Sequence, residues 1–234
     1  MGSDGIKSET KPRIKVTLNG PYIVTGNVPL TKMVIDADEE GYPYQWREVE
    51  KYPPRKNYAL CRCGKSKNKP YCDGEHIKYG FDGTETAGYA KFMENVKIYD
   101  GPTLKLFDNK PLCVGSGFCT RDGNIWNLTT HSDTPDYREI AILEAADCPS
   151  GRLVLWDKQG NLIEPDFEPS IVVTEDQHGV PGPIWVRGNI PIVSADGIDY
   201  EVRNRVTLCV CGGSDNKPFC DGDHTDTHSP DVHE

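Results

Sequence analysis

The chain has 234 residues, a formal charge of −10 and 36% hydrophobic residues, with 23 Gly and 18 Pro. Such acidity argues against binding nucleic acid or an anionic membrane surface, and no run approaches the ~20 apolar residues that span a bilayer. So turn-rich a chain has little apolar material for any one core, and small domains of that kind often draw stability from a metal. The polar N-terminus, with Asp4 and Glu9, resembles neither a secretory signal nor a transit peptide, so a soluble, cytoplasmic protein of one or two domains is expected.

In chain order, Gly20-Pro21-Tyr22-Ile23-Val24-Thr25-Gly26-Asn27-Val28-Pro29-Leu30 reads as a short, strongly bent strand. Residues 31–55, rich in charge, Tyr and Pro, read as a surface excursion, and the acidic run from Asp36 to Glu40 as solvated surface. Tyr58-Ala59-Leu60 is a strand that delivers Cys61. Strand signals follow at Val96-Lys97-Ile98-Tyr99 and Thr103-Leu104-Lys105-Leu106-Phe107. The single clear helix covers 135–146, with Thr134 as cap and Pro135 at the first helical position. Leu153-Val154-Leu155-Trp156 is a strand. Gly182-Pro183-Ile184-Trp185-Val186-Arg187-Gly188-Asn189-Ile190-Pro191-Ile192 then repeats the first run, and Val206-Thr207-Leu208 delivers Cys209. Residues 14–90 and 180–226 are therefore two versions of one unit, flanking a different segment at 95–157. The fold class expected is mostly β with a small α+β insert.

The nine cysteines are odd in number and closely spaced, unlike a secreted disulfide framework. They divide into three sets of three. Cys61-Arg62-Cys63 is followed, after eight residues, by Cys72-Asp73-Gly74-Glu75-His76. Cys209-Val210-Cys211 is followed, after eight residues, by Cys220-Asp221-Gly222-Asp223-His224. Cys113, Cys119 and Cys148 lie between. In each outer set the C-x-C cysteines straddle one residue of extended chain, so both side chains point the same way. Cys72 and His76 are four apart and can project from one helical turn, with Asp73 as its cap. Gly64, Ser66 and Pro70, repeated as Gly212, Ser214 and Pro218, fold the segment back and free backbone N–H groups to bond sulfur. Three thiolates and an imidazole suit a metal centre; Cys3His is also a zinc set, although C-x-C is not a usual finger spacing.

The pattern C-x-C-x2-S-x3-P-x-C-D-G-x-H resembles the signature of the CDGSH iron–sulfur domain, the mitoNEET-like family, and it occurs twice. Glu75 and Asp223 replace the family's serine, a position that is not a ligand there. The resemblance implies a [2Fe–2S] cluster in each copy, held by Cys61, Cys63, Cys72 and His76 and by Cys209, Cys211, Cys220 and His224. One imidazole among three thiolates raises the reduction potential and makes the cluster acid-sensitive, because a ligating imidazole must be deprotonated. Family members pair two units around a β-rich cap; with both units in one chain, a monomer containing an internal pseudo-dimer is expected.

The middle set, Cys113-Val114-Gly115-Ser116-Gly117-Phe118-Cys119 with Cys148-Pro149-Ser150-Gly151, resembles a divergent single-cluster ferredoxin segment over residues 95–157. Three cysteines suit a [3Fe–4S] cluster, or a [4Fe–4S] cluster with a non-cysteine ligand: Ser116, Asp147 or His131. The plainer reading leaves them as packing residues. His178, His228 and His233 lack partnered spacing and read as loop or tail histidines; Trp46, Trp126, Trp156 and Trp185 read as core or interface residues.

The function expected is one-electron transfer, or redox and acid sensing, with a redox partner. The alternative is cluster storage and transfer to apo-proteins, and a third reading is a zinc-stapled interaction module. No nucleotide loop, catalytic triad or substrate motif is present, so no enzymatic activity is expected.

Overall fold

The computed structural model describes residues 11–222. In chain order the elements are β1 (Arg13–Val16), β2 (Tyr22–Thr25), β3 (Leu30–Ala37), β4 (Pro43–Lys51), β5 (Asn57–Leu60), α1 (Glu75–Lys78), β6 (Lys97–Asp100), β7 (Leu104–Asp108), α2 (Ile125–Thr130), α3 (Pro135–Asp147), β8 (Leu153–Asp157), β9 (Leu162–Ile163), β10 (Ser170–Glu175), β11 (Pro181–Arg187), β12 (Ile192–Val193) and β13 (Arg205–Leu208). The architecture is mostly β, in three sheets.

Alternation builds the outer strands. In β1, Ile14 and Val16 are buried while Arg13 and Lys15 face outward. At the end of β2, Gly26 adopts φ +93°, and a Cβ there would stand 2.5 Å from Pro12 N. Gly188 repeats this after β11, with φ +76° and the same 2.5 Å approach to Pro169 N. Only glycine allows both the left-handed turn and the close backbone contact.

Each of these turns sends the chain into the other unit's sheet. β3 leaves β2 and pairs in parallel with β10, Leu30 opposite Ile171. β12 leaves β11 and pairs in parallel with β1, Ile192 opposite Ile14. The first hydrogen bonds of the two exchanges are equivalent: Ile14 N–H to Pro191 O and Ile171 N–H to Pro29 O, both 2.9 Å. The sheets therefore run β12-β1-β2-β5 and β13-β11-β10-β3-β4. They enclose one core drawn from both units, including Ile14, Tyr22 and Leu60 from the first and Ile171, Ile184 and Leu208 from the second. The expected pseudo-dimer is a reciprocal strand exchange. β10 belongs to it, pairing antiparallel with β11 as β1 pairs with β2.

The reading of 31–55 as a surface excursion is corrected. β3 lies inside a sheet, and β3 and β4 form a hairpin whose Trp46 packs against Phe118 and Trp185, with ring centroids 5.2 and 5.3 Å away. Trp46 Nε1 also donates to Asp147 O at 3.0 Å, fastening the hairpin to the end of α3.

The middle segment forms the sheet β6-β7-β8-β9, with α2 and α3 packed on it around Leu104, Leu106, Leu128, Ala141 and Leu155. Helix α3 starts at Pro135 as expected, but the Thr134 side chain makes no capping bond. Helix α2 was not expected; the Asn124 side chain caps it by accepting the Asn127 N–H at 2.9 Å.

Tyr22 ties the first unit to the second cysteine loop. Its buried hydroxyl lies 2.7 Å from Cys209 O and 3.0 Å from Pro218 O. Tyr22→Phe is expected to cost about 1–3 kcal/mol, the penalty for removing a donor from buried carbonyls. A lower denaturant midpoint at unchanged slope would show this; an unshifted midpoint would refute it.

Candidate metal centres

The two outer cysteine loops have the same construction. Cys61 N–H donates to Pro70 O at 2.8 Å, and Cys209 N–H to Pro218 O at 2.9 Å. Ser66 and Ser214 donate to Tyr71 O and Phe219 O at 2.6 and 2.7 Å, and each hydroxyl accepts a backbone N–H at 3.0 Å from Asn68 or Asn216. Asp73 Oδ2 accepts Lys67 N–H at 2.8 Å, and Asp221 Oδ2 accepts Asp215 N–H at 2.6 Å. Asp73 Oδ1 also accepts the Glu75 N–H at 3.1 Å, so it caps α1 from the position before Gly74. The recurrent Ser and Asp of the motif therefore shape the loops.

That frame sets the donors in pairs. Cys61 and Cys63 Sγ stand 3.8 Å apart, and Cys209 and Cys211 Sγ 3.6 Å apart. Cys72 Sγ lies 3.3 Å from His76 Nδ1. Two sulfurs bound at about 2.3 Å to one tetrahedral metal stand roughly 3.8 Å apart, so each C-x-C pair has the bite of one metal atom. Among the described residues, no three Cys, His, Asp or Glu side chains gather as a site for one ion. Cys61, Cys63, Cys209 and Cys220 are buried. His224, expected as the last ligand of the second set, lies outside the described residues.

Backbone donors face the sulfurs as the glycine-rich loops suggested. Gly213 N–H lies 3.4 Å from Cys211 Sγ, Lys65 N–H serves Cys63, and Gly212 and Ser214 serve Cys209. The contact between Cys209 and Cys211 splits their acidities, raising the Cys209 thiol and lowering that of Cys211. Burial raises Cys63. A metal would have to displace the remaining protons, which ties occupancy to pH.

The two loops meet across the pseudo-twofold. A Cβ on Gly64 would stand 2.8 Å from Cys211 O, and one on Gly212 would stand 3.3 Å from Cys63 O. The first unit's tail also reaches the second loop: Thr86 and Ala87 N–H both bond Lys217 O, at 2.8 and 2.9 Å.

Residues 19–77 and 181–225 match the family model described as iron-binding zinc finger, CDGSH type. Both outer units are CDGSH-type iron–sulfur domains. Residues 99–158 match the family described as divergent 4Fe-4S mono-cluster, so the CDGSH units flank a ferredoxin-like segment in an iron–sulfur-binding protein. No curated protein and no solved structure shows a significant match to the chain.

Between the CDGSH units, the three middle cysteines are electrostatic neighbours. Burial, then Cys148 and Cys113, push the Cys119 thiol up to about 11. Arg152 hydrogen-bonds Cys113 and is held by Asp108 at 2.6 and 2.9 Å. Two of the three candidates for a further ligand are engaged elsewhere. Asp147 pairs with Arg121 at 2.8 Å, and His131 Nδ1 sits 3.0 Å from Asn127 O at the exposed end of α2. Ser116 lies between Gly115 and Gly117 on the cysteine loop itself.

Glu144 went unnoticed in the sequence. It is fully buried on α3, one turn before Cys148. Its Oε1 accepts the Asp122 N–H at 3.0 Å, while Oε2 has no hydrogen-bond partner. Burial raises the carboxyl from 4.5 to about 7. The folded protein then holds a proton that the unfolded chain releases, so stability is full below about pH 4.5 and declines as pH rises through about 7. Glu144→Gln is expected to remove this decline, on the order of 3 kcal/mol. Denaturation midpoints of parent and variant across that window test it; parallel curves would refute it.

Proposed function

We propose that each CDGSH unit holds a [2Fe–2S] cluster, that the middle cysteines hold a third cluster of the [3Fe–4S] or [4Fe–4S] type, and that the protein passes single electrons to a redox partner without catalysing a reaction of its own. The observation that carries this reading is the pairing of donors. Cys61 with Cys63 and Cys209 with Cys211 each present a one-metal bite, and Cys72 with His76 forms a separate pair. Split donor pairs suit a binuclear core and argue against one structural zinc, whose four ligands would surround a single point. When bound, such clusters supply one-electron redox chemistry. The chain's contribution is to bury the thiolates, aim backbone N–H groups at sulfur and hold the loops rigid through Ser66, Asp73, Ser214 and Asp221.

Cluster delivery to apo-proteins is the second reading. His76 favours it, since it lines an open surface hollow with Asn19, Ile77 and Phe81, where protons and an acceptor can reach the weakest ligand. No helix among the described residues is long and apolar enough to cross a membrane. We place the protein in the cytoplasm, acting as a monomer; sedimentation at the mass of two chains would overturn the latter.

Iron and acid-labile sulfide after anaerobic reconstitution test the main reading. About four of each per chain are expected from the outer pair, and more with the middle cluster. A colourless, zinc-loaded protein would sink it. Transfer of iron and sulfide to an apo-ferredoxin at mildly acid pH, without redox turnover, would establish the second reading in its place.

A further inference from the structure

The two CDGSH sites are built alike but placed differently against the middle segment. Gly222, in the second motif, packs on the first middle cysteine: a Cβ there would stand 3.4 Å from Cys113 O and 3.5 Å from Val114 Cα. Gly74, its counterpart in the first motif, shares the left-handed backbone, yet a Cβ on it meets nothing within 4 Å. A second contact repeats the asymmetry. Arg205, on the strand that delivers Cys209, donates to Cys148 O at 2.8 Å and Leu153 O at 3.1 Å. Arg203 reaches Ser150 O at 3.3 Å. Asn57, which stands opposite Thr25 as Arg205 stands opposite Arg187, is exposed. The second site also abuts the first through the Gly64–Cys211 and Gly212–Cys63 approaches.

We propose that the three centres form a line in which the second CDGSH site is the junction, so that an electron passes between the middle centre and the first CDGSH site by way of the second. This rests on the electron-transfer reading above. Each step is a one-electron exchange within the chain: the centre that gives the electron is oxidised, its neighbour is reduced by the same electron, and no bond forms or breaks. The initial electron comes from an external one-electron reductant, dithionite in the test. The pseudo-twofold gives the two CDGSH sites matching cysteine loops; the middle segment makes them unequal in role.

The test uses the full, reconstituted chain, poised stepwise with dithionite and followed by electron paramagnetic resonance. Reduction of the second site is expected to broaden the signal of the middle centre and speed its relaxation, while reduction of the first site leaves the middle signal unchanged. In the Cys61→Ala/Cys63→Ala chain the coupling between middle and second centres persists. In the Cys209→Ala/Cys211→Ala chain the middle signal loses its broadening, and after substoichiometric dithionite no electron passes between the middle and first centres. Coupling or exchange between the middle and first centres in that second variant would overturn the proposal, as would a middle signal indifferent to the second site in the parent. Should a variant fail to fold, the stepwise reduction of the parent decides alone. A parent that takes up no clusters would bring down the electron-transfer reading itself, whereas clusters that load without this pattern of coupling bring down only the linear order.

Discussion

Replacing Arg205 with Met is expected to destabilise the protein by about 3–5 kcal/mol, the range for removing one partner of a buried ion pair. Arg205 is 2% exposed. Its guanidinium pairs with both Glu164 oxygens and donates to Ala145 O, Ala146 O, Cys148 O and Leu153 O. Ala145, Ala146 and Cys148 supply carbonyls at the C-terminal end of α3, where the helix offers few N–H donors and its dipole favours a cation. Methionine can fill much of the volume but removes the cation that pairs with the Glu164 carboxylate, which keeps the Asn204 amide donor, and takes the guanidinium N–H groups away from these carbonyls. Arg205→Lys should recover only part of the loss, because an ammonium cannot reproduce the planar fork. Denaturant midpoints for the three proteins measure the effect, and a methionine variant as stable as the parent would refute it. Since the same bonds position Cys148, iron attributable to the middle segment should fall in the methionine variant before the outer sites lose theirs.

The cysteine motifs were legible because everything they need is local. Within sixteen residues, the spacing of Cys61, Cys63, Cys72 and His76, with Ser66 and Asp73 to bond the turns, sets both donor pairs. The repeat of Gly26-Asn27 and Gly188-Asn189 likewise marked equivalent bends, and both asparagines take positive φ. What the bends accomplish was not legible. The partner of β3 is β10 and the partner of β1 is β12, from the other end of the chain, and a two-residue strand such as β12 has no periodicity of its own. Residues 31–55 looked like solvated surface because β4 is largely exposed; only the contact of Trp46 with Phe118 and Trp185 reveals the hairpin as a brace. Helix α2, six residues long, falls below the length at which helical spacing stands out. Glu144 looked like any polar helix residue. Its burial follows from the turn Phe118–Thr120 folding against α3, a tertiary event with no local signal.

Changing His76 to Cys is expected to slow acid bleaching of the first cluster and flatten its dependence on pH. An imidazole must lose its proton to bind metal, so protons compete with iron for this one nitrogen, and histidine is the side chain that titrates near neutrality. Where a single protonation gates release, the bleaching rate rises by about tenfold for each unit that pH falls, in step with the protonated fraction. A thiolate in the same place still yields to acid, but as the fourth of four like ligands it is no longer the distinct weak point. In the proposed cluster this competition would lie at the surface, because Cys61 and Cys63 are buried, whereas His76 lines an open hollow beside the exposed Leu18 and Ile77. Protons should therefore enter from the His76 side and detach one end of the cluster while the C-x-C pair still grips the other. Visible absorbance followed after pH jumps, in parent and variant, reads both rate and slope. If His76→Cys bleaches as fast as the parent with the same slope, the imidazole is not where acid attacks, and the case for acid-triggered release loses its physical basis.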